Sequence, residues 1–316
     1  MTATIGIDIG GTKIAAAVVD EHGAIVEKTR TPTTASDPDA IIEATAELAR
    51  ELGSRHEVSA VGVACAAFID RERSTIRFAP NISWRDTPVK KLLEDRIEMP
   101  VVIENDANAA AWGEFLYGPA HDRDDMVLIT VGTGVGGGVV IDGQLLRGAF
   151  GIGAELGHVR MVPDGLLCGC GSRGCLEQYA SGNALVREAR ELVRSSPTMA
   201  RELVRRCGGD AEKLTGPDVT EAALAGDEPA VELLATLGGW IGQGAVSITA
   251  VLDPSMYVIG GGVVTAGDLL LEPASRAYHR GLGGRGFRPE ATWALASLGN
   301  DAGVIGAAAL ARDGNA

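Results

Sequence analysis

The residues best suited to chemistry fall between Glu155 and Glu177. The run opens Glu155-Leu-Gly157-His158 and closes Cys168-Gly-Cys170-Gly171-Ser-Arg-Gly174-Cys175-Leu-Glu177. One imidazole and three thiols so close together form a donor set that a structural zinc prefers, four ligands in a tetrahedron. The Cys-x-Cys-x4-Cys spacing suits a short knuckle, and Gly169, Gly171 and Gly174 can take the φ > 0 turns that wrapping one ion requires. The alternative is a disulfide or a set of free thiols. A zinc held by His158, Cys168, Cys170 and Cys175 has no open position for water, so its task would be geometric rather than catalytic. The carboxylates at the two ends, Glu155 and Glu177, only accept hydrogen bonds when ionised and therefore suit the hydroxyls of a polyol. His158 could ligate through one ring nitrogen and offer the other to a hydroxyl.

A second group follows the apolar run Val101-Val-Ile103, as Glu104-Asn105-Asp106-Ala-Asn108. Asp106 is the candidate general base, at the carboxyl end of a buried strand where open α/β sheets place their ligands. It could equally cap the helix expected from Ala107 to Leu116, although Asn105 or Asn108 could take that duty. A third group is the corner Asp8-Ile-Gly10-Gly11-Thr12-Lys13. It reads as a hairpin whose backbone N–H groups can approach an anion, or as a plain turn. Asp8 would hold Mg²⁺ directly or through water, Thr12 would donate to a phosphate oxygen, and Lys13 would neutralise charge or lie solvated at the surface.

The elements that must position these groups repeat. Residues 7–20 match residues 129–142 at a constant offset, with Ile7 on Ile129, Gly10 on Gly132, Val18 on Val140 and Asp20 on Asp142. Thr133 and Gly134 thus mirror the first corner, and two corners able to hold phosphate suggest a duplicated α/β unit. Helices are expected at Asp39 to Leu52, Val89 to Arg96, Ser181 to Arg194, Met199 to Arg206, Glu221 to Ala225, Pro229 to Val251 and Asp301 to Arg312. In the long helix, Gly238, Gly242 and Ala245 should allow close packing. A strand at Met256 to Ile259 leads into a third glycine corner, Gly260 to Gly262.

Composition bounds the reading. The 316 residues are 46% apolar and 22% charged, a globular balance with room for two domains. A net charge of −14 argues against nucleic-acid binding. The apolar runs look too short for a membrane helix, and no signal peptide is apparent. Five cysteines in so long a chain fit the reducing cytoplasm.

The ordered set of motifs, Asp8-x-Gly10-Gly11-Thr12-Lys13, Glu104-Asn105-Asp106-x-Asn108, Glu155-x-Gly157-His158 and Cys168-x-Cys170-Gly171-x-x-Gly174-Cys175-x-Glu177, resembles the ROK family of repressors and sugar kinases, and among them the bacterial glucokinases. The resemblance implies an actin-like, ribonuclease-H-type fold. The small domain would span 1–108 with the C-terminal segment 301–316 packed on it, and the large one 109–300, with nucleotide in a cleft between them. It implies ATP, Mg²⁺ and structural zinc as cofactors, and glucose as substrate. Asp106 would take the proton of the sugar 6-hydroxyl, while Asn105, Glu155, His158, Glu177 and Asn81 contact the sugar. Gly10, Gly11, Thr12, Lys13, Thr133, Gly134, Gly261 and Gly262 would lie along ATP. A homodimer or homotetramer, without nucleic acid or membrane, is implied as well. Another hexose or an N-acetylhexosamine such as N-acetylmannosamine, or polyphosphate as donor, are the alternatives within this chemistry. A sugar-responsive repressor is the alternative outside it, disfavoured by the charge and by a first strand reached at Ile5. One departure stands out: Ala66-Ala67 occupies the place where many members carry Pro-Gly in a loop near the sugar.

Overall fold

The structure is a computed structural model and describes residues 3–34 and 37–314; the expected ranges 1–108 and 301–316 each include residues outside these. The chain opens with strands β1 (Ala3–Ile9), β2 (Lys13–Val19) and β3 (Ile25–Pro32). β1 and β2 pair antiparallel across the Gly10–Thr12 corner, with Ile9 opposite Ile14, so the expected hairpin is present. Helix α1 (Pro38–Arg55) starts where the Asp37 side chain accepts the Ala40 N–H, a cap that satisfies a donor the first turn leaves over. Strand β4 (Val58–Cys65) then returns parallel to β1. A small antiparallel sheet of β5 (Phe68–Ile69), β6 (Ile76–Phe78) and β7 (Arg85–Thr87) precedes α2 (Val89–Ile97), β8 (Val101–Asn105) and α3 (Asp106–Tyr117).

The second half begins with β9 (Met126–Val131), β10 (Val135–Ile141) and β11 (Gln144–Leu145). After the cysteine-rich segment come α4 (Glu177–Ala180), α5 (Gly182–Ser195), α6 (Arg201–Arg206) and α7 (Gly216–Leu224). These lead to α8 (Glu228–Leu252), β12 (Met256–Gly260), α9 (Asp268–Gly281), β13 (Thr292–Leu295) and α10 (Ala302–Arg312). The first large sheet has the order β3-β2-β1-β4-β8 and the second β11-β10-β9-β12-β13. Matched in chain order, these are the same arrangement. In each, two short connections are followed by helix, strand, helix, strand, helix. The offset seen between residues 7–20 and 129–142 therefore marks a duplicated topology. The small sheet is an insertion in the first copy, and the cysteine-rich segment with α4 to α7 an insertion in the second.

The chain divides into two compact units, 1–127 with 138–154 and 297–316, and 128–137 with 155–296. In the first, β2 is buried on both faces: Ile14, Ala16 and Val18 join the core that α1 supplies, while Ala15, Ala17 and Val19 meet Val304 and Ala308 of α10. Alternation with a period of two aims successive side chains at opposite layers. Helix α10 lies close against α3, so close that a Cβ on Gly306 would fall 1.7 Å from the Ala109 carbonyl oxygen. In the second unit α8 packs along α9, and a Cβ on Gly242 would reach 2.2 Å from the Ala274 carbonyl, so the small residues expected to permit close packing do so. By length and composition α8 could cross a bilayer, which the sequence reading had not credited; half of its most apolar stretch is buried inside the molecule.

Candidate functional site

In the first unit the site is built where β1, β4 and β8 end. Asp8 lies opposite Ala64, and Cys65 opposite Asn105, which brings Asp8 and Asp106 into electrostatic range of each other. Helix α3 starts at Asp106, and Asn105 is its cap: Oδ1 accepts the N–H groups of Ala107 and Asn108, at 3.0 and 3.1 Å. The choice of cap left open by the sequence is thereby made, and the Asp106 carboxylate does not serve as one. The Asn105 amide nitrogen donates to the Ala67 carbonyl at 3.3 Å, so the Ala66-Ala67 loop holds Asn105 directly. Asn105, expected at the sugar, retains one amide hydrogen beyond these bonds.

Burial pushes the Asp106 carboxyl above its ordinary value, while the N–H groups of Ala107 and of Asp106 itself pull it down. Asp8 is raised from 3.8 to about 6, first by burial and then by the Asp106 charge, with Lys13 opposing. Gly303, in the first turn of α10, comes against the Asp8 carboxylate, where a Cβ would lie 3.9 Å from Cγ; an anion is favoured at such a helix end. Gly11, Thr12 and Lys13 are exposed at the hairpin tip and Asn81 is exposed beyond β6.

In the second unit, Glu155 precedes and His158 ends a single 3-10 turn (Leu156–His158), closed by the bond from His158 N–H to the Glu155 carbonyl at 3.0 Å. The ligand atoms of His158, Cys168, Cys170 and Cys175 all lie within 4.8 Å of one another. Cys170 and Cys175 Sγ are 3.7 Å apart, as are Cys168 Sγ and His158 Nδ1. A disulfide needs about 2.0 Å, and all five cysteines are free. A tetrahedral zinc with Zn–S near 2.3 Å sets its sulfurs roughly 3.8 Å apart. The four residues could therefore hold one zinc, with Nδ1 of His158 on the metal side. Gly171 and Gly174 take φ of 87° and 74°, and a Cβ on Gly174 would fall 1.7 Å from the Val162 carbonyl. Gly169, expected to turn likewise, does not have a positive φ and faces open space; two left-handed corners suffice to close the knuckle.

Glu177 starts α4 two residues after the last cysteine. Its Oε2 accepts the Val135 N–H at 3.1 Å, and its Oε1 lies 3.6 Å from Cys168 Sγ. A Cβ on Gly134 would come 2.3 Å from Oε2, so the second glycine corner and this carboxylate are neighbours. Thr133 is exposed at that corner, and Gly261 and Gly262 are exposed at the end of β12. The Gly182 N–H donates to the Gly132 carbonyl at 2.8 Å, which ties the corner to the start of α5.

One group escaped the sequence reading. Glu104 is 1% exposed, and its Oε2 accepts from Arg73 Nε and pairs with Arg147 Nε, both at 2.8 Å. A lone carboxylate after three buried apolar strand residues was the available signal, because a buried charge requires partners. The partners themselves, distant in sequence, could not be named from it.

The ROK family's sequence profile matches residues 4–314. The glucokinase of Streptomyces coelicolor is 48% identical over 99% of this chain and 98% of its own length. The N-acetylmannosamine kinase of Citrobacter koseri is 37% identical over 98% of the chain and 99% of its own length. Among solved structures, a ROK family glucokinase from Streptomyces griseus in complex with glucose and AMPPNP superposes with a TM-score of 0.88 at 47% identity, covering 98% of this chain and 99% of that one. With the duplicated sheets and the four motifs in their expected elements, the chain belongs to the ROK family.

Proposed function

We propose that the protein transfers the γ-phosphoryl group of ATP to the 6-hydroxyl of glucose. The Asp106 carboxylate takes the 6-hydroxyl proton as that oxygen attacks phosphorus, the bond to the β-phosphate oxygen breaks, and ADP leaves. Burial favours this assignment, since a carboxylate held above its ordinary range binds a proton more readily near neutral pH. Glu155, Glu177, His158, Asn105 and Asn81 hold the remaining hydroxyls, His158 through Nε2, the ring nitrogen left over if Nδ1 ligates metal. The exposed corners at Gly10–Lys13, Thr133–Gly134 and Gly261–Gly262 receive the nucleotide, where backbone N–H groups can approach phosphate. Asp8 would hold Mg²⁺ through water, which would supply charge neutralisation on the phosphates. Zinc on His158 and the three cysteines would fix the turn that carries Glu155 and the start of α4 that carries Glu177.

The observation that supports the reading is that Asn105 supplies the side-chain cap of α3, so the Asp106 carboxylate, though it draws on the N–H groups of Ala107 and of its own residue, is spared that duty. Glucose is favoured over N-acetylmannosamine by the similarity to glucokinases, 48% against 37%. A cytoplasmic homodimer or homotetramer is part of the same proposal. A coupled assay over a panel of hexoses, N-acetylhexosamines and donors tests it. ATP with glucose should give the highest kcat/KM; a clear preference for N-acetylmannosamine, or for polyphosphate over ATP, would overturn the substrate assignment.

A further inference from the structure

Glu104 is a charge placed where charges are expensive. Its side chain sits in the first large sheet at the end of β8, buried with Arg73 and Arg147, whose side chains are 8% and 10% exposed. Paired charges of this kind seldom add net stability over apolar residues of similar volume, so their presence calls for another reason. The bonds indicate one. Oε1 accepts the Asn105 backbone N–H at 2.9 Å and the Asn108 side-chain amide at 3.2 Å, so one oxygen holds the chain just before Asp106 and again two residues after it. Oε2 takes the two guanidinium groups. Arg147 adds bonds to the carbonyls of Arg71, at 2.6 Å, and Asp70, at 3.0 Å. The corner from β8 into α3, the loop after β5 and the segment that runs on from Arg147 toward Glu155 thus share one carboxylate.

We propose that Glu104 is a positioning residue for phosphoryl transfer: bracketing residue 106 from both sides, its carboxylate fixes the orientation in which Asp106 meets the attacking hydroxyl. The inference rests on the reading of Asp106 as base. Rotation of the first turn of α3 would swing the Asp106 carboxylate without touching the glycine corners proposed to receive the nucleotide, so the loss should fall on kcat and spare ATP binding.

The test uses Asn108→Ala, which removes one partner of Oε1 and leaves both guanidinium contacts in place, with Glu104→Gln as the harsher variant and Asp106→Ala as reference. Asn108→Ala should lower kcat on the order of tenfold, short of the ~10²-fold that a 1 Å misplacement costs, with KM for ATP and affinity for AMPPNP within about twofold of wild type. Glu104→Gln, where it folds, should lose at least as much. In the Asp106→Ala background, Asn108→Ala should cost nothing more, because its effect passes through the base; a role in stability alone would not show this dependence. An unchanged kcat in Asn108→Ala, or the same tenfold loss in both backgrounds, overturns the inference. Retained activity in Asp106→Ala alone overturns the base assignment and the inference together, and is distinguishable because it appears without any change at Asn108.

Discussion

Gly134→Ala separates the sugar-side role of Glu177 from the phosphate-side role of its glycine corner. The added Cβ would lie 2.3 Å from Glu177 Oε2 and 3.2 Å from its Cδ, whereas ordinary contacts begin near 3.4 Å, so the carboxylate must retreat by about 1 Å. The obstacle is the end of a side chain rather than backbone, so the protein should still fold. Retreat also lengthens the 3.1 Å bond from Val135 N–H to Oε2, a bond to a charged group worth roughly 1.5–3 kcal/mol. A displacement of that size in a substrate-positioning group costs up to ~10²-fold. Steady-state kinetics with glucose and ATP varied independently should show kcat/KM for glucose reduced 10- to 100-fold, chiefly through KM, with a smaller rise in KM for ATP that reports the altered corner itself. Gly132→Ala is the matched control, because a Cβ there meets nothing within 4 Å; it should leave the glucose KM near wild type. An unchanged glucose KM in Gly134→Ala, or an equal rise in Gly132→Ala, would refute the placement of Glu177 at the sugar.

Metal analysis of purified protein should find about one zinc per chain, and stripping it with a strong chelator should raise the glucose KM and lower Tm together; fully active protein without zinc would contradict the structural role given to the knuckle. Asp8 carries a pH signature measurable without Mg²⁺. Its folded value of about 6 lies above the ordinary 3.8, so its effect on stability is most favourable below pH 3.8 and is lost as pH rises through 6. At roughly 1.4 kcal/mol per tenfold, Asp8→Asn should be more stable than wild type by at most about 3 kcal/mol at pH 7 to 8, with the gain vanishing below pH 4; denaturant titration at both pH values checks it, and a gain that persists in acid contradicts it. Gly306→Ala forces a Cβ to 1.7 Å from a backbone oxygen of α3, and should cost at least about 3 kcal/mol or prevent folding; near-wild-type Tm would refute the tight seating of α10.

The parts of the fold that were legible in the sequence carry local signatures. The hairpin at Gly10–Thr12 and its copy at Gly132–Gly134 announce themselves through glycine corners between Ile- and Val-rich runs. The four zinc-type ligands lie close enough in sequence for spacing to mean proximity. What stayed hidden depends on tertiary context. Strand β3 is an edge strand whose exposed Lys28 and Arg30 alternate with half-buried residues and mask its pairing. Helix α9 contains Pro273, which interrupts a helical pattern read locally, and β13 has only four residues. Asn105 was one of three residues in sequence able to cap α3; which of them does so follows from backbone geometry at the β8–α3 corner. Glu104 was visible as a charge after an apolar run, but Arg73 and Arg147 reach it from 31 and 43 residues away in sequence, a distance that no motif spans.

The central claim is that Asp106 is the base of a sugar kinase, and Asp106→Ala tests it most directly. Under saturating glucose and ATP, with folding verified by an unchanged circular dichroism spectrum and AMPPNP affinity retained, kcat should fall by roughly 10² to 10⁴-fold. A variant that keeps kcat within tenfold of wild type would contradict the claim.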